Sequence, residues 1–349
     1  MQDFLQDSLA HPKPCIQLNA DKLPVFFSCV PFETYPQETR LYFDSVSGML
    51  DYYYSRRLDI FRLTQQRDAL LKTVGKLYSK LQKLIHIYES SLQDAQKAHK
   101  LQQRADYITA NIYRLRKGMK SFETIDYESG QTITIPLDVS RTPQETAQKL
   151  YKKIAKFKTA AAMNTEKLEQ AFEEREFLEG VLHFTENAES TDEIADIRHT
   201  LVRTGYLSAP GKSKKEEESI SRPLSYVSPS GYTILVGKND RQNDILTMRL
   251  ASKTDIWFHA QKIPGSHVLL LTNGVELDDI DDDTIVMAAE LAAAHSRAKQ
   301  SGKTPVDYTQ RKNLKKPPGA RPGKVIYDDY FTVYVDAGKG HVPAPEEIH

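Results

Sequence analysis

The chain has 349 residues, a length that fits about two domains, with 47 Lys+Arg against 47 Asp+Glu and 40% hydrophobic residues. Zero net charge excludes a uniformly basic nucleic-acid coat but leaves room for a local basic patch. Two cysteines, Cys15 and Cys29, are too few for a disulfide scaffold and lack metal-ligand spacing. No stretch approaches the roughly 18 uncharged apolar residues of a membrane span, and no basic segment followed by an apolar run opens the chain. These features predict a soluble, cytoplasmic protein with no membrane insertion.

Residues 1–43 are punctuated by Pro12, Pro14, Pro24, Pro31 and Pro36 around short β-like runs. About forty such residues cannot bury a core of their own, so they read as the remnant of a preceding domain. A seam follows at alternating steps of three and four: Val46, Met49, Tyr53, Arg56, Ile60, Leu63, Arg67, Leu70, Val74, Leu77, Leu81, Leu84, Tyr88, Ser91, Ala95, Ala98. Its narrow apolar stripe is that of a coiled coil, and it requires a partner helix. Thr142-Pro143-Gln144-Glu145 supplies the start of one, with Thr142 as N-cap, Pro143 at the first helical position and Glu145 closing a capping box. Between them, Phe122 to Pro136 alternates around Ser129-Gly130 and predicts a β-hairpin.

The expected architecture is multidomain, α and α+β. An antiparallel coiled-coil arm spans 44–208, with a hairpin-containing tip at about 118–141. A charged linker occupies 209–223, and a compact α+β domain occupies 224–340. Strands are predicted at Tyr232–Gly237, Asp255–His259, His267–Leu271, Val325–Tyr327 and Tyr330–Val335, with one helix from Thr284 to Lys299 closed by Gly302.

No phosphate-binding glycine loop, zinc-protease motif, nucleophile elbow or Cys-x-x-Cys is present. The sequence therefore points away from an enzyme and implies no cofactor and no metal. Glu276, Asp278, Asp279 and Asp281 to Asp283 sit just before the helix at Thr284, where carboxylates complement the macrodipole. Within Trp257 to His267, two histidines flank Pro264-Gly265-Ser266 and read as hydrogen-bonded members of a fixed turn. Gly265 is expected in a backbone conformation that a β-carbon disfavours. From Lys299 to Lys324 there are eight basic residues and one acidic, Asp307. The prolines and glycines of residues 315–324 would hold these cations at set positions for phosphate contacts. The nucleic-acid-binding candidates are Arg311, Lys312, Lys315, Lys316, Arg321 and Lys324, joined by Trp257, His259, Lys262 and His267, where aromatics beside cations suit RNA.

Asp255-Ile256-Trp257-Phe258-His259, Pro264-Gly265-Ser266-His267-Val268, Val306-Asp307-Tyr308-Thr309, Asn313-Leu314-Lys315-Lys316-Pro317 and Pro322-Gly323-Lys324-Val325-Ile326-Tyr327 resemble the NFACT-R domain. That domain closes the RqcH and NEMF proteins of the NFACT family, whose Gram-positive members are also called fibronectin-binding protein A. Leu137-Asp138, Thr142-Pro143, Ala147-Gln148-Lys149-Leu150-Tyr151 and Gly205-Tyr206-Leu207 resemble the family's coiled-coil region, with one departure at Thr146, where Asn is expected. The resemblance implies ribosome quality control. It implies binding of a large ribosomal subunit that carries a stalled peptidyl-tRNA, and recruitment of a tRNA for C-terminal alanine tailing. It does not extend to the family's N-terminal Asp-Arg motif, so no residue here inherits that role. The alternative is a surface adhesin for fibronectin or fibrinogen, displayed by unconventional export.

Overall fold

The computed structural model describes residues 12–20, 22–31, 34, 36, 39–127, 129–209, 221–299, 301–337 and 345. Most of the predicted linker lies outside them. The chain forms two compact units, one of residues 1–74 with 180–349 and one of residues 75–179.

In the first unit, β1 (Cys15–Leu18), β2 (Pro24–Ser28) and β3 (Arg40–Tyr42) form an antiparallel sheet in the order β2-β1-β3. Ile16 packs on Met49 and Tyr53 at the start of α1 (Val46–Ala110). The Tyr53 hydroxyl donates to the Val25 carbonyl at 3.1 Å. The segment thus finds its core on the helix that follows it.

The predicted seam runs along α1. Met49, Tyr53, Leu70, Val74, Leu81 and Ala98 are buried, whereas Arg56 is exposed. One step differs: Leu84 points out and Ile85 is buried, so the stripe goes 81, 85, 88. An α-helix turns 3.6 residues at a time, and a strict heptad count drifts off the buried line.

The partner helix is intramolecular. In the 75–179 unit, α1 pairs with α2 (Pro143–Asn187), and three contacts fix the register. Tyr78 donates to Glu179, Asn164 to Ser91, and Tyr151 to Asp106, each at 2.7 Å. Partner numbers add to 257, 255 and 257, as strictly antiparallel helices require. The capping box forms as read: Glu145 N–H donates to Thr142 Oγ1 at 3.2 Å, and Thr142 N–H donates to the Glu145 carboxylate at 2.8 Å. These bonds hold the Glu145 carboxyl below its usual range. At the tip, β4 (Ser121–Ile125) and β5 (Thr132–Pro136) pair antiparallel from Ser121↔Pro136 to Ile125↔Thr132. Tyr107, Ile108, Leu115, Phe122, Ile135 and Ala147 form its core.

Back in the first unit, Arg67 donates to the Ala188 carbonyl at 2.5 Å, and α3 (Thr191–Arg203) follows. Its helical signal lies in Ile194, Ile197 and Leu201, which recur on one face and are buried, and in Ser190, which caps the helix by accepting from the Glu193 N–H at 3.2 Å, while Glu193 accepts from the Glu189 N–H at 2.8 Å. Its carboxylates reach the C-terminal domain: Glu193 meets Lys238 at 2.6 Å and Asp196 meets Arg241 at 3.3 Å.

That domain contains β6 (Leu224–Val227), β7 (Thr233–Val236), α4 (Asp240–Ile245), β8 (Ile256–Ala260), β9 (Val268–Leu270), α5 (Asp282–Ala294), β10 (Lys303–Gln310), β11 (Leu314–Lys315), β12 (Ile326–Tyr327) and β13 (Phe331–Asp336). Six strands form one antiparallel sheet, ordered β13-β10-β8-β9-β7-β6, and β11 pairs with β12 apart from it. Ile256, Phe258, Val268, Leu270 and Val306 pack on Ala288, Ala289, Leu291 and Ala292 of α5. The small alanines let the helix lie close to the sheet.

Three expectations are corrected here. The helix ends at Ala294, five residues early, because Ser296 turns to bridge Gly265. The basic stretch after Lys299 is not loop throughout: its residues 303–310 form β10, an interior strand between β13 and β8. Gly265 does not take a left-handed conformation. Glycine is required because a β-carbon there would lie 2.7 Å from Ser296 Cβ and 3.0 Å from Ser296 Cα.

Candidate RNA-binding surface

Residues 311–324 cross the face of the sheet opposite α5, and their cations have unequal fates. Arg311 turns inward. Its guanidinium donates to the Thr247 carbonyl and, at 3.2 Å, to the Leu314 carbonyl, and it touches the Met248 sulfur. It fastens the start of the loop to the turn after α4 and is spent as a structural clasp, so a phosphate role for it is withdrawn. Lys316 forms an ion pair with Asp244 on α4, and the Gly323 N–H donates to the same carboxylate at 3.0 Å. One carboxylate therefore grips both ends of residues 316–323. Gly319 and Gly323 take positive φ of 75° and 79° within this span, where a side chain would be strained. The Arg321 guanidinium lies 5.6 Å from the Tyr206 ring centroid, and Lys324 is half-buried. Lys312 is exposed, and Lys315 is 70% exposed beside Asp328 at 3.7 Å. Screening by solvent leaves that last pair worth little, so Lys312 and Lys315 are the loop cations open to a polyanion.

Beneath the loop, Asp240 lies close enough to Gly323 that a β-carbon on the glycine would be 2.7 Å from its carboxylate. Loss of solvent first, and the neighbouring Asp244 second, push the Asp240 pKa up to about 8. Sequence reasoning missed Asp240 and Asp244. The available signal was the helix start, where Asn239 caps Gln242 N–H at 2.9 Å.

Trp257, His259 and His267 form a cluster against Tyr327, with ring centroids 4.9 to 5.7 Å apart. Trp257 and His267 are 1% and 3% exposed, so neither has a face on which a base can stack, and the expectation that they contact nucleic acid is corrected. His267 Nδ1 lies 2.7 Å from Thr247 Oγ1, and its N–H donates to Asn243 at 3.0 Å. Burial lowers the His259 pKa to about 4 and holds His267 well below the usual range. Both are neutral near pH 7. Next to them, buried Asp307 accepts from Gln261, Tyr327 and Thr332 at 3.2, 2.8 and 2.7 Å. The cluster is the floor on which residues 311–330 are laid. Lys262 stands at the rim, exposed and left-handed at φ 55° in the turn after β8. Of the acidic residues before α5, Asp281 caps the helix by accepting from the Thr284 N–H at 2.8 Å, and Glu276 reaches β10 by accepting from Gln310 at 2.9 Å. The carboxylate-first helix start read from the sequence is present.

The chain is thus a multidomain α and α+β protein whose C-terminal sheet domain displays Lys312 and Lys315 on a braced loop. Residues 222–329 match the family model described as the NFACT protein RNA binding domain, and residues 1–219 match that of the NFACT N-terminal and middle domains. The chain belongs to the NFACT family. It is 39% identical over 297 residues to "Rqc2 homolog RqcH" of Bacillus subtilis, covering 84% of this chain and 51% of that one. It is 36% identical over 310 residues to the Streptococcus suis protein of the same name, covering 88% and 55%. The chain thus spans about half the length of these curated relatives. A solved structure, the C-terminal of the fibronectin/fibrinogen-binding protein from Streptococcus suis, matches with a TM-score of 0.59 and 31% identity, covering 80% of this chain and 96% of that one. No described helix is long and apolar enough to cross a membrane.

Proposed function

We propose that the chain is the arm and RNA-binding portion of a cytoplasmic ribosome quality-control factor, which binds the large ribosomal subunit carrying stalled peptidyl-tRNA. On this reading it helps recruit a tRNA for C-terminal alanine tailing and catalyses no step itself. The observation that carries it is the RNA-binding family match over residues 222–329, within which Lys312 and Lys315 stand exposed on a loop braced at Asp244. Cations held in place release condensed counterions from a nucleic-acid backbone without first having to be ordered. The test is binding of the full chain to purified large subunits and to tRNA across a salt series. Lys312→Gln with Lys315→Gln should weaken binding and flatten the log–log salt slope by up to about two units. Wild-type affinity and slope in that variant would refute the role of the loop.

Likeness to the fibronectin/fibrinogen-binding protein of Streptococcus suis favours a second reading, host-protein adhesion. Saturable, salt-resistant fibronectin binding by the folded chain would favour it, and binding that fades steeply with salt would favour RNA.

A further inference from the structure

The six-stranded sheet of the C-terminal domain has two edges, and they differ. At β6 the strand is four residues long, with Ser225 and Tyr226 buried. At β13 six residues pair with β10 in unbroken register from Lys303↔Asp336 to Tyr308↔Phe331, and no described strand lies beyond them. Phe331 and Tyr334 are 55% and 67% exposed, on opposite faces of the strand. Exposed edges are usually blunted by a proline, a lysine or a bulge, and Phe-Thr-Val-Tyr-Val-Asp has none of these. Every second residue of β13 therefore turns its N–H and C=O away from β10.

On the α5 face, Phe258, Tyr308 and Phe331 line up across β8, β10 and β13. Their ring centroids lie 5.4 and 5.5 Å apart, with planes 17° and 29° from parallel. The row ends at Phe331 and leaves the outer side of that ring open at the sheet edge. The carboxylates that lead into α5 stand at this end of the row. Glu276 accepts from Gln310, two residues beyond Tyr308, and burial first and the Asp282 charge second raise the Tyr308 pKa. Asp278, Asp279, Asp282 and Asp283 are exposed, and no ion pair among the described residues reaches them.

We propose that β13 is a docking edge for an extended, basic segment of a partner protein, which adds to the sheet as a further strand with a lysine or arginine beside Phe331. A row of alternating donors and acceptors is matched by another polypeptide backbone. A strand added at the usual spacing of about 4.8 Å would place one side chain next to Phe331 on the α5 face. A cation there meets both the ring and the unpaired carboxylates, which an apolar or acidic side chain cannot use. The same carboxylates repel a nucleic-acid backbone. A second copy of the chain fits less well. Antiparallel pairing of two β13 strands keeps odd-numbered residues opposite odd-numbered ones, so Phe331 would face Val333 or Val335 and the carboxylates would gain no cation. The proposal stands apart from the RNA-binding reading, because it uses neither Lys312 nor Lys315.

The probe is a fluorescein-labelled peptide, Lys-Val-Arg-Thr-Lys-Val-Arg-Thr, whose alternation puts its cations on one face of a strand. The full chain should bind it saturably, and amide exchange at the outward-facing set of residues 331–336 should slow in the complex. Two further peptides carry methyl groups on alternate backbone nitrogens, one on the basic residues and one on the others. One of them should bind about tenfold more weakly, because it loses the hydrogen bonds to β13, and the other should bind like the parent. The peptide with glutamate at every basic position should not saturate. Asp282→Asn with Asp283→Asn should weaken the parent peptide about fivefold, as two exposed ion pairs do. Equal binding of both methylated peptides, or unchanged exchange at residues 331–336, would place the peptide on the carboxylates alone and overturn the edge. Full affinity in the aspartate variant would overturn the basic partner. The proposal also fails if single-stranded oligouridine slows those amides in place of the peptide. It fails equally if they are already protected in the chain alone, because the edge is then taken.

Discussion

The helical hairpin and the C-terminal sheet bury their side chains by different rules. In the hairpin one stripe per helix is covered, and bulky residues off that stripe, such as Ile87 and Met163, stay more than half exposed. In the sheet, consecutive residues vanish from solvent on both faces: Ile256, Trp257 and Phe258 on β8, and Val268, Leu269 and Leu270 on β9. An antiparallel sheet usually wets one face. Here α5 covers one, and the loop clasped by Arg311 and Asp244 lies over part of the other. The lesson is that the loop is as much a layer of the fold as the helix, although its sequence looks like solvated turn.

The contrast is tested most forcefully in the two cores. Phe258→Ala should cost about 3–5 kcal/mol and melt the C-terminal domain as a unit, because a two-sided core has no solvent into which it can relax. Ile154→Ala, on the hairpin stripe, should stay nearer 2 kcal/mol, with lost amide-exchange protection confined to the surrounding turns. Comparable global unfolding by both variants would erase the distinction. Next in size, Gly265→Ala should cost about 1–3 kcal/mol through overpacking against Ser296. Denaturant melts showing no loss would mean that the β9 approach to Ser296 is looser than its geometry. Then Arg311→Gln should destabilise by about 1–2 kcal/mol, because two backbone carbonyls lose their donor. Lys315→Gln should stay within about 0.5 kcal/mol. Equal melting temperatures for these two would return Arg311 to the solvent-facing set.

The smallest effect is in pH. Asp240 binds its proton more tightly folded, with a pKa of about 8, than unfolded. Its contribution is therefore full below the ordinary carboxylate range and declines as pH rises toward 8. Neutral His259, His267 and His295, whose pKa values desolvation lowers, act in the opposite sense, losing stability as pH falls below their ordinary value. The melting temperature of Asp240→Asn minus that of wild type should thus grow by a few degrees between pH 5 and pH 8. A flat difference would show that the carboxyl is already well solvated.

How much of this was legible in the sequence follows the same division. The hairpin could be read because a stripe is a local pattern: the seam, the Thr142–Glu145 box and the β4–β5 turn each need only a few neighbouring residues. Even the misplacement of Leu84 for Ile85 is a drift in period. β10 was hidden because Thr304, Asp307 and Thr309, polar in sequence, are buried and satisfied by partners up to 46 residues away. The functions of the cations were hidden for the same reason. Arg311 and Lys315 are interchangeable on a charge count, and only the tertiary position of Thr247 makes one a clasp. Arg203 and Arg241 belong to no motif, and the fold alone brings them beside Arg321 of the basic stretch.

The double grip of Asp244 on Lys316 and Gly323 also has a kinetic consequence. On the RNA-binding reading proposed above, a loop already held at both ends needs no slow ordering step between encounter and final contact, so its capture of a polyanion should be governed by diffusion and field. Raising salt should then lower the association rate steeply while leaving dissociation of the docked complex comparatively unchanged. Asp244→Asn frees the glycine and the lysine together. It should shift part of the salt dependence from the on-rate to the off-rate, because an unbraced loop must fold around its ligand after meeting it.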